Sequence, residues 1–300
     1  MESGEDKLKE HLESMAEESK LHITEYILKY VVEKSIKDLI ELQHAYELEW
    51  DVTEYLTNKI FKNSNISQPV RGELIDALDV IQSYLHDVVE VHSKALGKAY
   101  NAKNNKDVLD SLIALYLDLR VVNVMLNLMN EYMQIPTFIF SIFKDLTDKV
   151  KNTITLLTYL HIQDKVANEV KSEIAKYYEL VSKEKESFVK DLNELDRIAK
   201  NRKDMKKEAY NVLFRVLYFM EKHYDGAITF AKDALNVDKA SVALNELIEA
   251  YASFSTVNAL YFMYCEYWDI CTEHLENSLH EIFKNTQHVI DKIVDYYIKS

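Results

Sequence analysis

Glycine and proline are nearly missing from this chain, with four of the first and two of the second in 300 residues. Large β-architectures need those residues, together with aspartate and asparagine, at their many turns. The shortage therefore argues against strands and predicts an all-α protein. It also excludes a Gly-rich loop that could cradle phosphate, because four scattered glycines cannot build one. No Cys/His set has zinc spacing, and neither serine-nucleophile nor cysteine-protease signatures occur. The opening stretch Met1–Lys20 is charged and polar, not basic and then apolar, which predicts a protein that is not secreted. Long apolar runs are lacking as well. The longest uncharged run, Ala250–Cys265, has 16 residues and carries Ser253, Ser255, Thr256 and Asn258. It is too short and too polar to span a membrane and suits a buried helix.

Cysteine is scarce too. Cys265 and Cys271 sit six apart, and at about 100° per residue they would point about 120° apart on a helix. That geometry predicts reduced thiols and a cytoplasmic setting. Basic residues are in deficit, 36 against 50 acids, for a net charge of −14. Such a balance argues against broad nucleic-acid binding and against docking on anionic lipid, and reads mainly as solubility. Tyrosine is abundant and glutamine scarce, a bias that points toward thermophilic archaea or their viruses, although asparagine is not depleted.

What the chain does have is apolar residues, 48% of the total, and a pattern that occurs twice. Residues 73–133 lie on 208–268 without a gap at an offset of 135. The identical pairs are Glu73/Glu208, Leu78/Leu213, Ala99/Ala234, Asn101/Asn236, Leu109/Leu244, Leu112/Leu247, Ile113/Ile248, Tyr116/Tyr251, Val122/Val257, Asn123/Asn258, Glu131/Glu266 and Tyr132/Tyr267. Most are apolar at helical spacing, the signature of a repeated supersecondary unit. The predicted organisation is an acidic arm or short helix at 1–20, a first helical repeat at 21–160 and a second at 161–300. Each repeat has about four long helices, arranged as paired bundles.

Within the first repeat, a long helix is expected from His22 to Lys62, with Val32, Ile36, Leu39, Leu42 and Tyr46 as its buried stripe. Asn63–Gly72 breaks the chain. A second helix runs to about Tyr100, and a third, Asp107–Met133, is apolar almost all round and belongs at the centre of a bundle. Pro136 ends it, and Thr137 is the expected N-cap of the fourth. No glycine or proline separates that helix from the fifth, so the two could run on as one. Thr272, the counterpart of Thr137, is expected to open the eighth helix.

Three constellations bear on function. A carboxylate-bridged di-metal bundle needs Glu-x-x-His on facing helices. Glu41 and His44 supply one such set, but Ser182 stands where its second copy requires histidine. A metal-binding, oxidase-like bundle using Glu41 and His44 is therefore the alternative reading. The repeated polar residues Tyr116, Asn123, Glu131, Tyr251, Asn258 and Glu266 lie in the central helices, where a buried polar group is costly unless hydrogen-bonded. They are expected to form a network that fixes helix register, with a ligand pocket as the other possibility. Finally, Phe138, Ile139, Phe140, Ile142 and Phe143 make the start of helix four apolar around its circumference, whereas Glu273–Ser278 in the second repeat is polar. That patch needs cover, either from the second repeat or from a partner chain. The sequence thus predicts a non-enzymatic interaction or scaffold protein without cofactor. Its expected partners are proteins, a second copy included, within a larger cytoplasmic or viral assembly. An acidic accessory of nucleic-acid machinery is a further alternative.

Overall fold

The computed structural model describes residues 24–268 and 270–298. The acidic arm expected at 1–20 and His22 lie outside the described residues. Helices follow one another almost without interval: α1 (24–40), a 3-10 turn (Glu41–His44), α2 (Tyr46–Lys62), α3 (Gln68–His86), a π-helical turn (Asp87–His92), α4 (Ser93–Asn101), α5 (Asn105–Asn130), α6 (Thr137–His161), α7 (Asn168–Asn201), α8 (Lys207–Asn236), α9 (Ala240–Trp268) and α10 (Glu273–Tyr297). Among the described residues there is no strand, and Lys165 and Lys239 form an isolated bridge. The chain is all-α.

The helix predicted from His22 to Lys62 is broken at residues 41–45, and its pattern of apolar residues explains why. Val32, Ile36 and Leu39 form one buried stripe, and Val52, Leu56 and Ile60 another. Thirteen positions separate Leu39 from Val52, which at about 100° per residue leaves the stripes about 140° apart on a straight helix. A break lets both face inward. By contrast α3, the π-turn and α4 form one helical path, in which the buried Ser93 hydroxyl donates to the carbonyl of Val88. Pro69 occupies the first turn of α3, where a missing N–H costs nothing. Lys103 closes α4 in the left-handed region, at φ 56°, while Asn104 N–H reaches back to the carbonyl of Ala99. The Asn104 side chain then caps α5 by accepting from the backbone N–H groups of Lys106 and Asp107.

The fourth and fifth predicted helices are also separate. Residues 162–167 leave the helix without a glycine or proline because distant groups take up their backbone. Val166 N–H donates to Asp238, Ala240 N–H to Asp164, and Ala167 N–H to the Tyr297 hydroxyl. Thr137 does not cap as predicted, whereas Thr272 opens α10 as expected. Thr137 is the first residue of α6, with Pro136 at the cap position, and Thr272 stands at the cap of α10 without a side-chain cap bond.

The core is built on α5 and α9, which contact each other. Around α5 lie α3, α4 and α6; around α9 lie α8, α10, α6 and α3; α7 bridges α8 and α10. Alanines 227, 231 and 234 on α8 and 240, 243, 250 and 252 on α9 are buried, so these two backbones approach closely. α1 is tied to α6 by Ser35–Thr153 and Asp38–Lys149 contacts. Buried residues from both halves form one continuous apolar cluster. α5 is long and apolar enough to cross a membrane, but 78% of its apolar window is buried among the other helices. Several boundaries recur at the 135-residue offset: α4 ends at Asn101 and α8 at Asn236, while α5 begins at Asn105 and α9 at Ala240. Leu109/Leu244, Leu112/Leu247 and Val122/Val257 are all fully buried. α1 and α2 are separated by the break at 41–45, whereas α7 runs unbroken for 34 residues.

Candidate functional site

A cleft of about 740 Å³ lies between α5, α6 and α8. From α5 it receives Arg120, Asn123, Asn127 and Asn130, with Glu131 just beyond the helix end. α6 contributes Lys144, Thr147 and Asp148, and α8 contributes Arg215, Tyr218, Phe219, Lys222 and His223. Volumes of this order are ordinary for small-molecule sites.

Local bonding holds the walls. Asn123 Nδ2 donates to the Leu119 carbonyl and to Thr147 Oγ1, each at 2.8 Å, tying α5 to α6. Thr147 in turn donates to the carbonyl of Phe143. Asn127 donates to the carbonyl of Asn123, and Asn130 Oδ1 accepts from Ile135 N–H. Arg215 grips Glu131 in two-pronged fashion, Nε at 2.7 Å and Nη2 at 2.8 Å, and lies over the rings of Tyr218 and Phe219. Arg120 lies over the Tyr116 ring at 6.0 Å, and its buried Nε has no hydrogen-bond partner. Burial, with Arg120 and Lys222 beside it, pushes the His223 imidazole down to about 4, so the ring is neutral near pH 7.

Among the described side chains, the repeated polar residues do not meet in one network. Asn123 and Glu131 line the cleft. Tyr116 instead donates to Glu249 at 2.6 Å, and Lys151 meets the same carboxylate oxygen at 2.6 Å, which links α5, α6 and α9. Tyr251 is buried against the ring of Phe283, with centroids 4.6 Å apart. Asn258 is exposed, and the Glu266 side chain lies outside the described residues. Polar bridging between the halves does occur: Tyr116 and Glu131 bond Glu249 and Arg215, partners that the repeat does not single out, and Asn245 bonds Thr158.

The apolar start of α6 divides by face. Ile139 and Phe143 are buried in the core, Phe140 is half-buried, and Phe138 and Ile142 are 58% and 40% exposed. Phe138 meets the half-exposed ring of Tyr55 on α2 edge-on, with centroids 6.3 Å apart. Intrachain burial thus covers only part of the patch.

Glu41 and His44 sit on the exposed 3-10 turn, and His44 bonds the neighbouring Gln43. They do not face the inside of a bundle, as a di-metal site requires. Among the described residues no group of three or more His, Cys, Asp or Glu side chains converges. The cysteine expectation is corrected. Cys265 and Cys271 are joined as a disulfide, with Cα atoms 5.0 Å apart. Cys271 lies beyond the end of α9, so the helical angle between them does not apply, and the cysteines no longer argue for a cytoplasmic setting.

Sequence reasoning missed Arg120, Lys144, Arg215, Lys222 and His223, which sit on three helices without a common motif. One signal existed: Arg120 is a lone cation in the long apolar stretch of α5. No family model matches the chain, and no curated protein or solved structure matches it.

Proposed function

We propose that this chain is a non-enzymatic helical interaction or scaffold protein, derived by tandem duplication of a four-helix unit and docking a protein partner through the exposed face of Tyr55, Phe138 and Ile142. The observation that carries the reading is the exposure of Phe138 and Ile142 beside Tyr55 on the joint between α2 and α6. Large apolar side chains grouped at a surface are typical of protein contact sites, where aromatic anchors supply much of the binding energy. The partner is a second copy or another chain of an assembly.

Support for duplication comes from the recurring boundaries at Asn101/Asn236 and Asn105/Ala240 and from matched burial of the shared leucines and valines. The two halves differ at the proposed contact. The polar opening of α10 has no counterpart of Phe138, so the docking face belongs to the first half.

Phe138→Glu combined with Ile142→Lys tests the reading, since both side chains are exposed and the change spares the core. The wild-type chain should sediment as a defined complex, alone or with a partner recovered from its source cells, and the double variant as a single chain. A wild-type chain that remains single and unaccompanied at every concentration contradicts the proposal.

A further inference from the structure

The cleft between α5, α6 and α8 runs against the charge of the whole protein. The chain carries a net −14, yet the cleft gathers four cations, Arg120, Lys144, Arg215 and Lys222, against two acids, Glu131 and Asp148. Four minus two leaves a surplus of +2. Glu131 is occupied by Arg215 in a two-pronged pair. Among the described residues no ion pair holds Lys144 or Lys222, and the buried Nε of Arg120 has no acceptor. Those three cations come from three different helices, so they present charge from three directions. That arrangement suits a multiply charged tetrahedral group better than a planar carboxylate, which one arginine can satisfy alone. Beside them lie donor-bearing amides, Asn127 and Asn130, and a wall formed by Tyr218 and Phe219, the former 48% exposed.

From this geometry we infer that the cleft binds a small phosphate ester with a flat ring, its phosphate held among Arg120, Lys144 and Lys222 and its organic part laid along Tyr218 and Phe219. The volume of about 740 Å³ accommodates a ligand of mononucleotide size. A nucleic-acid polymer fits poorly, because the strongly acidic remainder of the chain repels an extended polyanion beyond the cleft. Inside the cleft the neutral imidazole of His223 faces Arg120 and Lys222, and a bound phosphate would offset their charge.

Calorimetric titration of the full chain with ADP, at about 20 mM salt to limit screening, tests the assignment. The wild-type protein should bind one ADP with a Kd below about 1 mM. Lys144→Ala with Lys222→Ala, both at exposed positions, should weaken binding at least about tenfold, and Tyr218→Ala several-fold. Lys171→Ala with Lys183→Ala, exposed on α7 away from the cleft, should change nothing. In the same samples the His223 ring, followed by proton NMR, should titrate at higher pH when ADP is bound. The inference is overturned if ADP fails to bind at millimolar concentration, if the Lys144/Lys222 variant binds as tightly as wild type, or if Tyr218→Ala and the His223 titration are both indifferent to ADP.

Discussion

Removing one oxygen atom from the middle of the molecule tests how the halves are joined. Tyr116 is 1% exposed and its hydroxyl donates to Glu249 at 2.6 Å, while Glu249 itself is 7% exposed. Burial holds the phenol well above its ordinary range, so it remains a protonated donor. Tyr116→Phe keeps the ring and leaves no cavity, but takes a donor from a buried carboxylate. Hydrogen bonds to charged groups contribute about 1.5–3 kcal/mol, so a loss of about 2 kcal/mol is expected. Unfolding entropy near the midpoint is about 2.1 cal/mol/K per residue, or about 0.6 kcal/mol/K for a chain of this size, so Tm should fall by about 3 °C. Lys151 approaches the same oxygen at 2.6 Å, but its own side chain is 50% exposed. Water therefore shares that charge, and Lys151→Met should cost about 2 kcal/mol, below the range for a fully buried pair.

The assay is differential scanning calorimetry of Tyr116→Phe, Glu249→Gln and the double variant. Because both residues meet in one contact, the double variant should be less destabilised than the sum by at least about 1 kcal/mol. A Tyr116→Phe chain melting with wild type, or strictly additive losses, would refute the argument that this contact couples α5 to α9.

Three further outcomes follow from single residues. Burial and then Asp291 raise the Asp110 carboxyl to about 6; with a folded value above the ordinary 3.8, the fold prefers the protonated form. Stability should increase as pH falls from above 6 toward 4, and Asp110→Asn should raise Tm at pH 8 and lose that advantage near pH 4. Allowing for solvent screening of a partly exposed group, the gain is at most about 1–2 kcal/mol. His223 has the opposite sign. Its folded value of about 4 lies below the ordinary 6.5, so its contribution is present above pH 6.5 and lost on acidification toward 4, by up to about 3 kcal/mol. Urea midpoints at pH 7.5 and 4.5 should show a smaller acid loss in His223→Gln. Lys103→Gly, which relieves a left-handed backbone at an exposed position, should raise Tm by about 1 °C.

The helical class was legible because a shortage of glycine and proline is a global property that no tertiary contact can reverse. The buried faces were legible as well: Leu109, Leu112, Leu244 and Leu247 recur at helical spacing and all reach the core. Helix ends were legible where local chemistry decides them, as at Asn101–Asn105. They were not legible where distant groups decide. The chain leaves α6 at residues 162–167 because Asp238, Ala240 and Tyr297 take up its backbone, and nothing in those six residues announces this. The cysteines misled for a related reason: a six-residue spacing has a helical angle only if the helix continues, and α9 stops at Trp268. The cleft was least legible. Its cations lie on three helices separated by up to about a hundred positions, and only folding makes them neighbours.

The repeated asparagines show why identity between halves did not carry equal roles. Asn123 bonds Thr147, and the position 135 residues beyond Thr147 is Ile282, which is buried. Asp148, on the cleft wall, corresponds to Phe283, which covers the ring of Tyr251. The seam that is polar and open between α5 and α6 is therefore apolar and filled between α9 and α10. With no equivalent of Thr147 to bond, Asn258 faces outward. The same substitution at both sites should consequently behave differently. Asn123→Leu strips Thr147 of a donor and places an apolar side chain on the cleft wall, costing about 1–2 kcal/mol. Asn258→Leu alters an exposed helical position and should stay within about 0.5 kcal/mol of wild type. Urea unfolding of the two variants measures the contrast directly. Equal losses would mean that the difference between Thr147 and Ile282 is without consequence for the two asparagines.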